Sequence, residues 1–272
     1  MFHKKTLFTG LAAVIALVLF GIGCAPRTSV PTSTSVPVPV PMPTLAQPAT
    51  VQPAVAHTAT QPPTSAAKKT VILSFDADMT TGMRAKLRSG AVKAWYDPAV
   101  INLLLKTGVP ARIFVTGLFA ETYPDLIREL AKSPNITFGN HTYDHLSFEP
   151  HCYGLQTLTT DDAKRAEITK TQTVIKDLTG VEPTLFRYPG LCRNEHDDVL
   201  VSSLGLTIDD GNLTSGDAFN HRVHSVTSTV LNDVHDGSEI LFHLGGPNAP
   251  TDAVALADLI PKLQAIGFEF GR

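Results

Sequence analysis

From residue 70 onward the chain alternates between two hydrophobic rhythms. Short, apolar or β-branched runs have the length and composition of strands: Thr70–Phe75, Ala111–Thr116, Ile136–Asn140, Thr184–Arg187, Leu206–Asp209 and Glu239–His243. Between them lie longer segments with apolar residues at helical spacing: Asp97–Thr107, Tyr123–Lys132, Asp161–Thr179, Asp197–Leu204, His221–His235 and Thr251–Ile266. The punctuation agrees, with Pro98 and Pro124 near helix starts and Gly108 and Gly180 just past helix ends. Strand–helix alternation predicts an α/β fold built on a parallel sheet or barrel. Such folds collect functional residues at the C-terminal ends of their strands.

The first 68 residues follow neither rhythm. Lys4 and Lys5 precede a nearly unbroken apolar run from Leu7 to Gly23, and Cys24 follows it. That order describes an export signal, slightly short for a membrane span. Gly21-Ile22-Gly23-Cys24 resembles a bacterial lipobox, in which the cysteine is lipidated. An uncleaved membrane anchor and an ordinary secretory signal are the alternatives, and all three place the remainder outside the cytoplasm. Residues 25–68 hold ten of the chain's 20 prolines, with no charge between Ser29 and Ala67. A segment without an apolar face is expected to be a disordered, extended linker, either a tether or a plain spacer. The expected organisation is therefore residues 1–24 as signal or anchor, 25–68 as linker and 69–272 as the folded domain.

Composition narrows the function. The chain has 272 residues, a formal net charge of -3 and 43% hydrophobic residues. A sizeable core is possible, and the lack of any basic excess argues against nucleic acid as a partner. There are three cysteines. With Cys24 carrying lipid, Cys152 and Cys192 remain as a possible disulfide in an oxidising compartment.

The chemistry stands at the predicted strand ends. Phe75 leads into Asp76-Ala77-Asp78, Asn140 into His141 and His145, Phe186 into Arg187-Tyr188-Pro189-Gly190, and Phe242 into His243. Histidines four residues apart would share one face of a helical turn and can bind one ion. Adding Asp76 or Asp78 makes a two-histidine, one-carboxylate set with an open position for water. Taken alone, such a pair is weak evidence and reads more readily as surface histidines. His151, His196, His221, His224 and His235 match no pattern and read as surface groups. Trp95, within the long connection Met79–Tyr96, is either a lid or sugar-stacking wall or a packing residue. Asp209-Asp210 is either a turn or a second acidic motif, and the turn is the favoured reading.

Together these residues resemble the polysaccharide deacetylases, the NodB homology domain of carbohydrate esterase family 4, across essentially all of residues 70–272. Ser74-Phe75-Asp76-Ala77-Asp78 is similar to the first family motif and His141-Thr142-Tyr143-Asp144-His145 to the second. Arg187-Tyr188-Pro189-Gly190, Ser215-Gly216-Asp217-Ala218 and Leu241-Phe242-His243 resemble the remaining three, in order. The resemblance implies a distorted (β/α) barrel that hydrolyses an N-acetyl amide on a cell-envelope glycan such as peptidoglycan or a chitin-like polymer. It implies Asp76 as general base and Asp78, His141 and His145 as ligands of Zn²⁺ or another divalent metal such as Co²⁺. It further implies His243 as general acid oriented by Asp217, Arg187 paired with Asp76, and Gly190, Tyr188 and Leu241 around the oxyanion and acetyl pocket. Two alternatives stay open: an O-acetyl esterase on xylan or wall glycan, and a non-catalytic glycan-binding relative. Ala77 and Ala218, standing where the motifs usually carry Asp and Trp, motivate the second.

Overall fold

A computed structural model describes residues 68–272; Cys24, the signal segment and the linker up to residue 67 lie outside the described residues. Eight parallel strands form one sheet: β1 (Lys69–Ala77), β2 (Ala111–Val115), β3 (Ile136–Asn140), β4 (Leu185–Phe186), β5 (Thr207–Ile208), β6 (Leu213–Thr214), β7 (Ser238–His243) and β8 (Phe268–Phe270). The order runs β5-β4-β3-β2-β1-β7-β6, and β8 pairs with the start of β1. The edges β5 and β6 are consecutive in the chain, joined by residues 209–212. One stretch of backbone therefore leaves the β4 side and arrives on the β7 side. Asn212 N donates to Glu239 O and Ser215 N to Leu241 O. This covalent crossing draws the sheet round into the distorted barrel that the resemblance implied.

Each predicted helix is present within a few residues: α2 (Pro98–Thr107), α4 (Pro124–Ala131), α5 (Asp161–Thr179), α6 (Glu195–Ser203), α7 (Val223–Asp233) and α8 (Asp252–Ala265). The capping chemistry explains the ends. Thr160 accepts from Ala163 N to start α5, two aspartates occupy its first turn, and Gly180 ends it in the left-handed region at φ 78°. Two helices carried no sequence signal, α1 (Thr81–Arg88) and α3 (Gly117–Thr122). In α1 the apolar residues Met83, Ala85 and Leu87 recur every second position, a strand period. The short β6 and β8 were also beyond prediction.

Strand alternation sorts the side chains into two layers. Val71, Leu73, Phe75, Ala77, Ile113, Ile240 and Phe242 face outward into the main core under the helices. Ser74, Asp76, Arg112, Phe114, Glu239, Leu241 and His243 take the other parity and face the barrel interior. A second apolar cluster gathers Phe148, Phe186, Tyr188, Leu200 and Leu206. Trp95 belongs to the main core, with its Nε1 donating to Met83 O at 2.8 Å, so it packs and forms no lid.

Candidate active site

The floor of the site is a buried guanidinium. Arg187, fully buried, donates from Nη1 to Asp76 Oδ1 (2.9 Å) and from Nε to Asp209 O (2.8 Å). Its Nη2 donates to Ser74 Oγ (2.9 Å) and Glu239 Oε1 (2.7 Å). The Phe114 ring lies 3.8 Å from the guanidinium carbon. Gly139 makes room for that ring, since a Cβ there would stand 2.4 Å from Phe114 Cδ1. Deeper in the barrel, Arg112 pairs with both Glu239 and Asp209, the latter at 2.7 Å. Asp209 is thus an ion-pair member inside the barrel, not the simple turn residue expected. A buried charge is tolerated only with partners, which is why these acids and arginines occur as a set. Arg112 and Glu239 were missed by the sequence reading. Their one signal was charge at inward positions of otherwise apolar strands.

Above this floor, at the strand ends, stand Asp76, Asp78, His141, His145 and His243. Ala77 is the last residue of β1 and turns into the core, so Asp76 and Asp78 both face the site. His141 Nε2 and His145 Nε2 each lie 3.4 Å from Asp78 Oδ1. The two histidines do not share a helix face, as their spacing suggested. They flank a loop after β3 in which Thr142 and His145 both adopt φ 63°. That conformation is costly for residues with a Cβ and must be held from outside. Asn140 Oδ1 accepts from Thr142 N, and Glu167 Oε2 of α5 accepts from Tyr143 N and Asp144 N.

The donors fit a divalent cation. His141 Nδ1 lies 2.8 Å from Arg187 O. A carbonyl only accepts, so Nδ1 carries the proton and the neutral ring keeps its Nε2 lone pair for the site. His141 Nε2 and Asp78 Oδ1 are buried without a hydrogen-bond partner, yet they face each other. Two acceptors so placed call for a cation between them. Ligand atoms ~2.1 Å from a tetrahedral ion stand roughly 3.4 Å apart, the spacing observed. Electrostatics agree. Burial would raise Asp78, but His145, His141 and His243 hold it well below the usual carboxylate range. Burial opposes a charged His141, yet Asp76 and Asp78 raise its pKa, and that same negative field attracts a metal. Burial lowers His145, with Asp78 opposing. Asp76, Asp78 and His243 form a second possible ligand group, but Asp76 is engaged by Arg187 and His243 by Asp217.

His243 stands on β7 beside Asp76, its register partner on β1. Asp217 Oδ2 accepts from His243 N at 2.6 Å and lies 3.1 Å from His243 Nδ1. This leaves His243 Nε2 toward the site, 3.6 Å from Asp78 Oδ2. Burial disfavours the imidazolium, but Asp217 and then Asp78 and Asp76 outweigh it and push His243 up to about 10. Asp217 is lowered although burial opposes, chiefly by His243. Behind this pair sits Asp252, the buried first residue of α8, pushed up to about 9 by burial and the neighbouring Asp217.

These groups open into a cleft of about 290 Å³ lined also by Leu155, Gly190, Leu241 and Ala218. A larger hollow of about 610 Å³ lies at the other rim, around Lys68, Val109 and Phe268, away from every group above. Leu241 and Gly190, two of the three residues the resemblance put around the pocket, line this cleft. Tyr188 is not: it is fully buried in the second apolar cluster, packs on Phe148 and Phe186, and its hydroxyl donates to Asp198. Alternation past the inward Arg187 sends it to the outer layer. Gly190 adopts φ 65° in a single 3-10 turn, Pro189–Leu191, where a Cβ would stand 2.6 Å from Cys152 Sγ. Cys152 and Cys192 are joined, with Cα atoms 6.0 Å apart, tying the loop before α5 to this turn. The five unmatched histidines are all exposed.

Comparison with known proteins agrees with this geometry. The family profile described as Polysaccharide deacetylase matches residues 64–209, more than half of the 272. A peptidoglycan-N-acetylglucosamine deacetylase of Bacillus cereus is 26% identical over 176 residues, covering 64% of this chain and 61% of that protein. The crystal structure of the Bc1960 peptidoglycan N-acetylglucosamine deacetylase superposes with a TM-score of 0.62 at 25% identity. It covers 75% of this chain and 86% of that one. A pseudoenzyme of carbohydrate esterase family 4 from Bacillus anthracis shares the fold, with a TM-score of 0.61 at 19% identity over 75% of this chain and 64% of that one.

Proposed function

The chain belongs to the polysaccharide deacetylase family, and from that premise we propose that it removes N-acetyl groups from a cell-envelope glycan, with peptidoglycan the nearest substrate. One observation carries this reading. An arginine-anchored carboxylate and a carboxylate-anchored imidazolium, register neighbours on β1 and β7, face one cleft beside a metal-ligand triad. Asp78, His141 and His145 would hold the ion, zinc or another such as cobalt, which when bound supplies Lewis acidity to the acetyl carbonyl and its attacking water.

Asp76, oriented by Arg187, accepts the proton of that water. The Gly190 backbone N–H, on the cleft wall, stabilises the oxyanion as it develops. An amine leaves poorly unless protonated, and His243 Nε2 delivers the proton to the amide nitrogen. Asp217 holds His243 charged for that step, as the raised pKa requires. Leu241 receives the acetyl methyl. Ala77 does not weaken the reading, because its side chain lies in the core while Asp78 occupies the site. The lipobox-like start and Pro-rich stretch support an exported, membrane-anchored protein acting outside the cytoplasm.

Acetate release from N-acetylglucosamine oligomers and peptidoglycan, before and after chelation, tests the proposal. Release that stops on chelation and returns with metal is expected. Release only from acetylated xylan replaces the reading with an esterase. Glycan binding without release replaces it with a non-catalytic relative.

A further inference from the structure

Two of the most exposed large hydrophobic side chains among the described residues touch each other. Tyr153 is 71% and Phe219 78% exposed, and their ring centroids are 5.6 Å apart at 39°. A lone exposed ring needs no explanation; a pair at the mouth of a cleft that holds several charged groups does. Both rings line the cleft that holds Asp76, Asp78 and His243. They come from different connections, Tyr153 from the loop before α5 and Phe219 from the loop before α7.

The pair is built to stay at the rim. Cys152, next to Tyr153, is bonded to Cys192 beside the Gly190 turn. The Tyr153 ring rests on Gly190, where a Cβ would stand 3.1 Å from Tyr153 Cδ2. Tyr153 itself holds φ 49° and Gly154 φ 74°, so the loop keeps a conformation a free loop would relax from. Phe219 follows Asp217 directly through Ala218, and its N–H donates to Gly216 O in a tight turn at 3.1 Å. The catalytic carboxylate partner and the aromatic ring therefore share one rigid turn.

We infer that Tyr153 and Phe219 form a sugar-stacking platform that holds the pyranose next to the one presenting its acetyl group. A pyranose offers a flat C–H face suited to an aromatic ring and hydroxyls suited to the acidic and imidazole groups of the cleft beside it. The platform's continuity with the cleft commits it to a neighbouring residue of the same glycan. The enzyme then gains affinity with chain length. This rests on the deacetylase reading above.

The test is acetate release by the full-length, zinc-loaded protein from N-acetylglucosamine oligomers of increasing length. Wild type is compared with Tyr153→Ala, Phe219→Ala and Tyr153→Phe. Loss of one stacked ring should lower kcat/KM for the pentamer by on the order of tenfold, chiefly through KM. For the dimer the loss should be far smaller, and Tyr153→Phe should keep the length dependence. Equal losses for dimer and pentamer, or none, overturn the platform. Calorimetric titration of the pentamer keeps the two readings apart. If wild type binds it without releasing acetate, and Tyr153→Ala/Phe219→Ala loses that binding, the platform stands and the deacetylase reading falls. If the double variant binds it as wild type does, the platform falls.

Discussion

Arg187 Nη1 and Asp76 Oδ1 lie 2.9 Å apart inside the barrel, the arginine fully buried and the aspartate nearly so. The same guanidinium holds Glu239, so one cation serves two buried carboxylates. Removing it leaves Asp76 without its cation and Glu239 with Arg112 alone. Arg187→Met should therefore lose acetate release and also lose on the order of 3–5 kcal/mol of stability. Denaturant unfolding reads the second effect. A variant that is inactive but as stable as wild type would refute the shared-cation account.

Metal binding should depend on the triad and on nothing else in the cleft. Asp78→Ala and His141→Ala should each reduce bound zinc or cobalt from one per chain to near none, measured by elemental analysis of purified protein. Because a ligand that binds only the folded state stabilises it, chelation should lower the wild-type Tm and leave these variants unmoved. Metal retained in Asp78→Ala would shift the site to Asp76.

Asp252 gives a pH dependence with a definite sign. Its folded pKa, raised to about 9, lies above the unfolded value near 3.8. The fold holds the neutral acid while the unfolded chain ionises it. The contribution of this group to stability is therefore full below about pH 4 and falls as pH rises toward 9. Asn mimics the neutral acid. Asp252→Asn should match wild type in Tm at pH 4 and exceed it increasingly from pH 6 to 9. A constant difference across that range would refute the assignment.

Asp217 and His243 should fail together. Asp217→Asn removes the main group that raises His243. The imidazole then loses its proton at lower pH, and the alkaline limb of kcat should move down toward neutrality. An unmoved limb would take His243 out of the acid role.

The disulfide closes a loop of 40 residues and supports the Gly190 turn. Reduction, or Cys152→Ser with Cys192→Ser, should cost roughly 4 kcal/mol by chain entropy, read from the Tm with and without reductant. The Gly190→Ala variant should be impaired in its own right, since alanine meets both a positive φ and Cys152 Sγ.

Much of this was legible along the chain. Strand alternation placed Val71, Leu73 and Phe75 on one side and Asp76 with Asp78 on the other. Glycine and proline marked α2 and α5, the residue types at strand ends suggested two histidines with Asp76 or Asp78 as metal ligands, and the family resemblance implied the acid–base pair. These features depend on neighbours two to four positions apart, which a sequence displays directly. The mutual placement of distant groups does not. His141 and His145 meet through a strained loop held by Glu167, and Tyr188 leaves the pocket because Arg187 enters it. Arg112 finds Glu239 across 127 positions only because β2 and β7 both flank β1. Which charges are neutralised, and which aromatic rings stand at the cleft, was decided when 209–212 closed the sheet. The cost of burying a charge is set by whatever the fold brings against it.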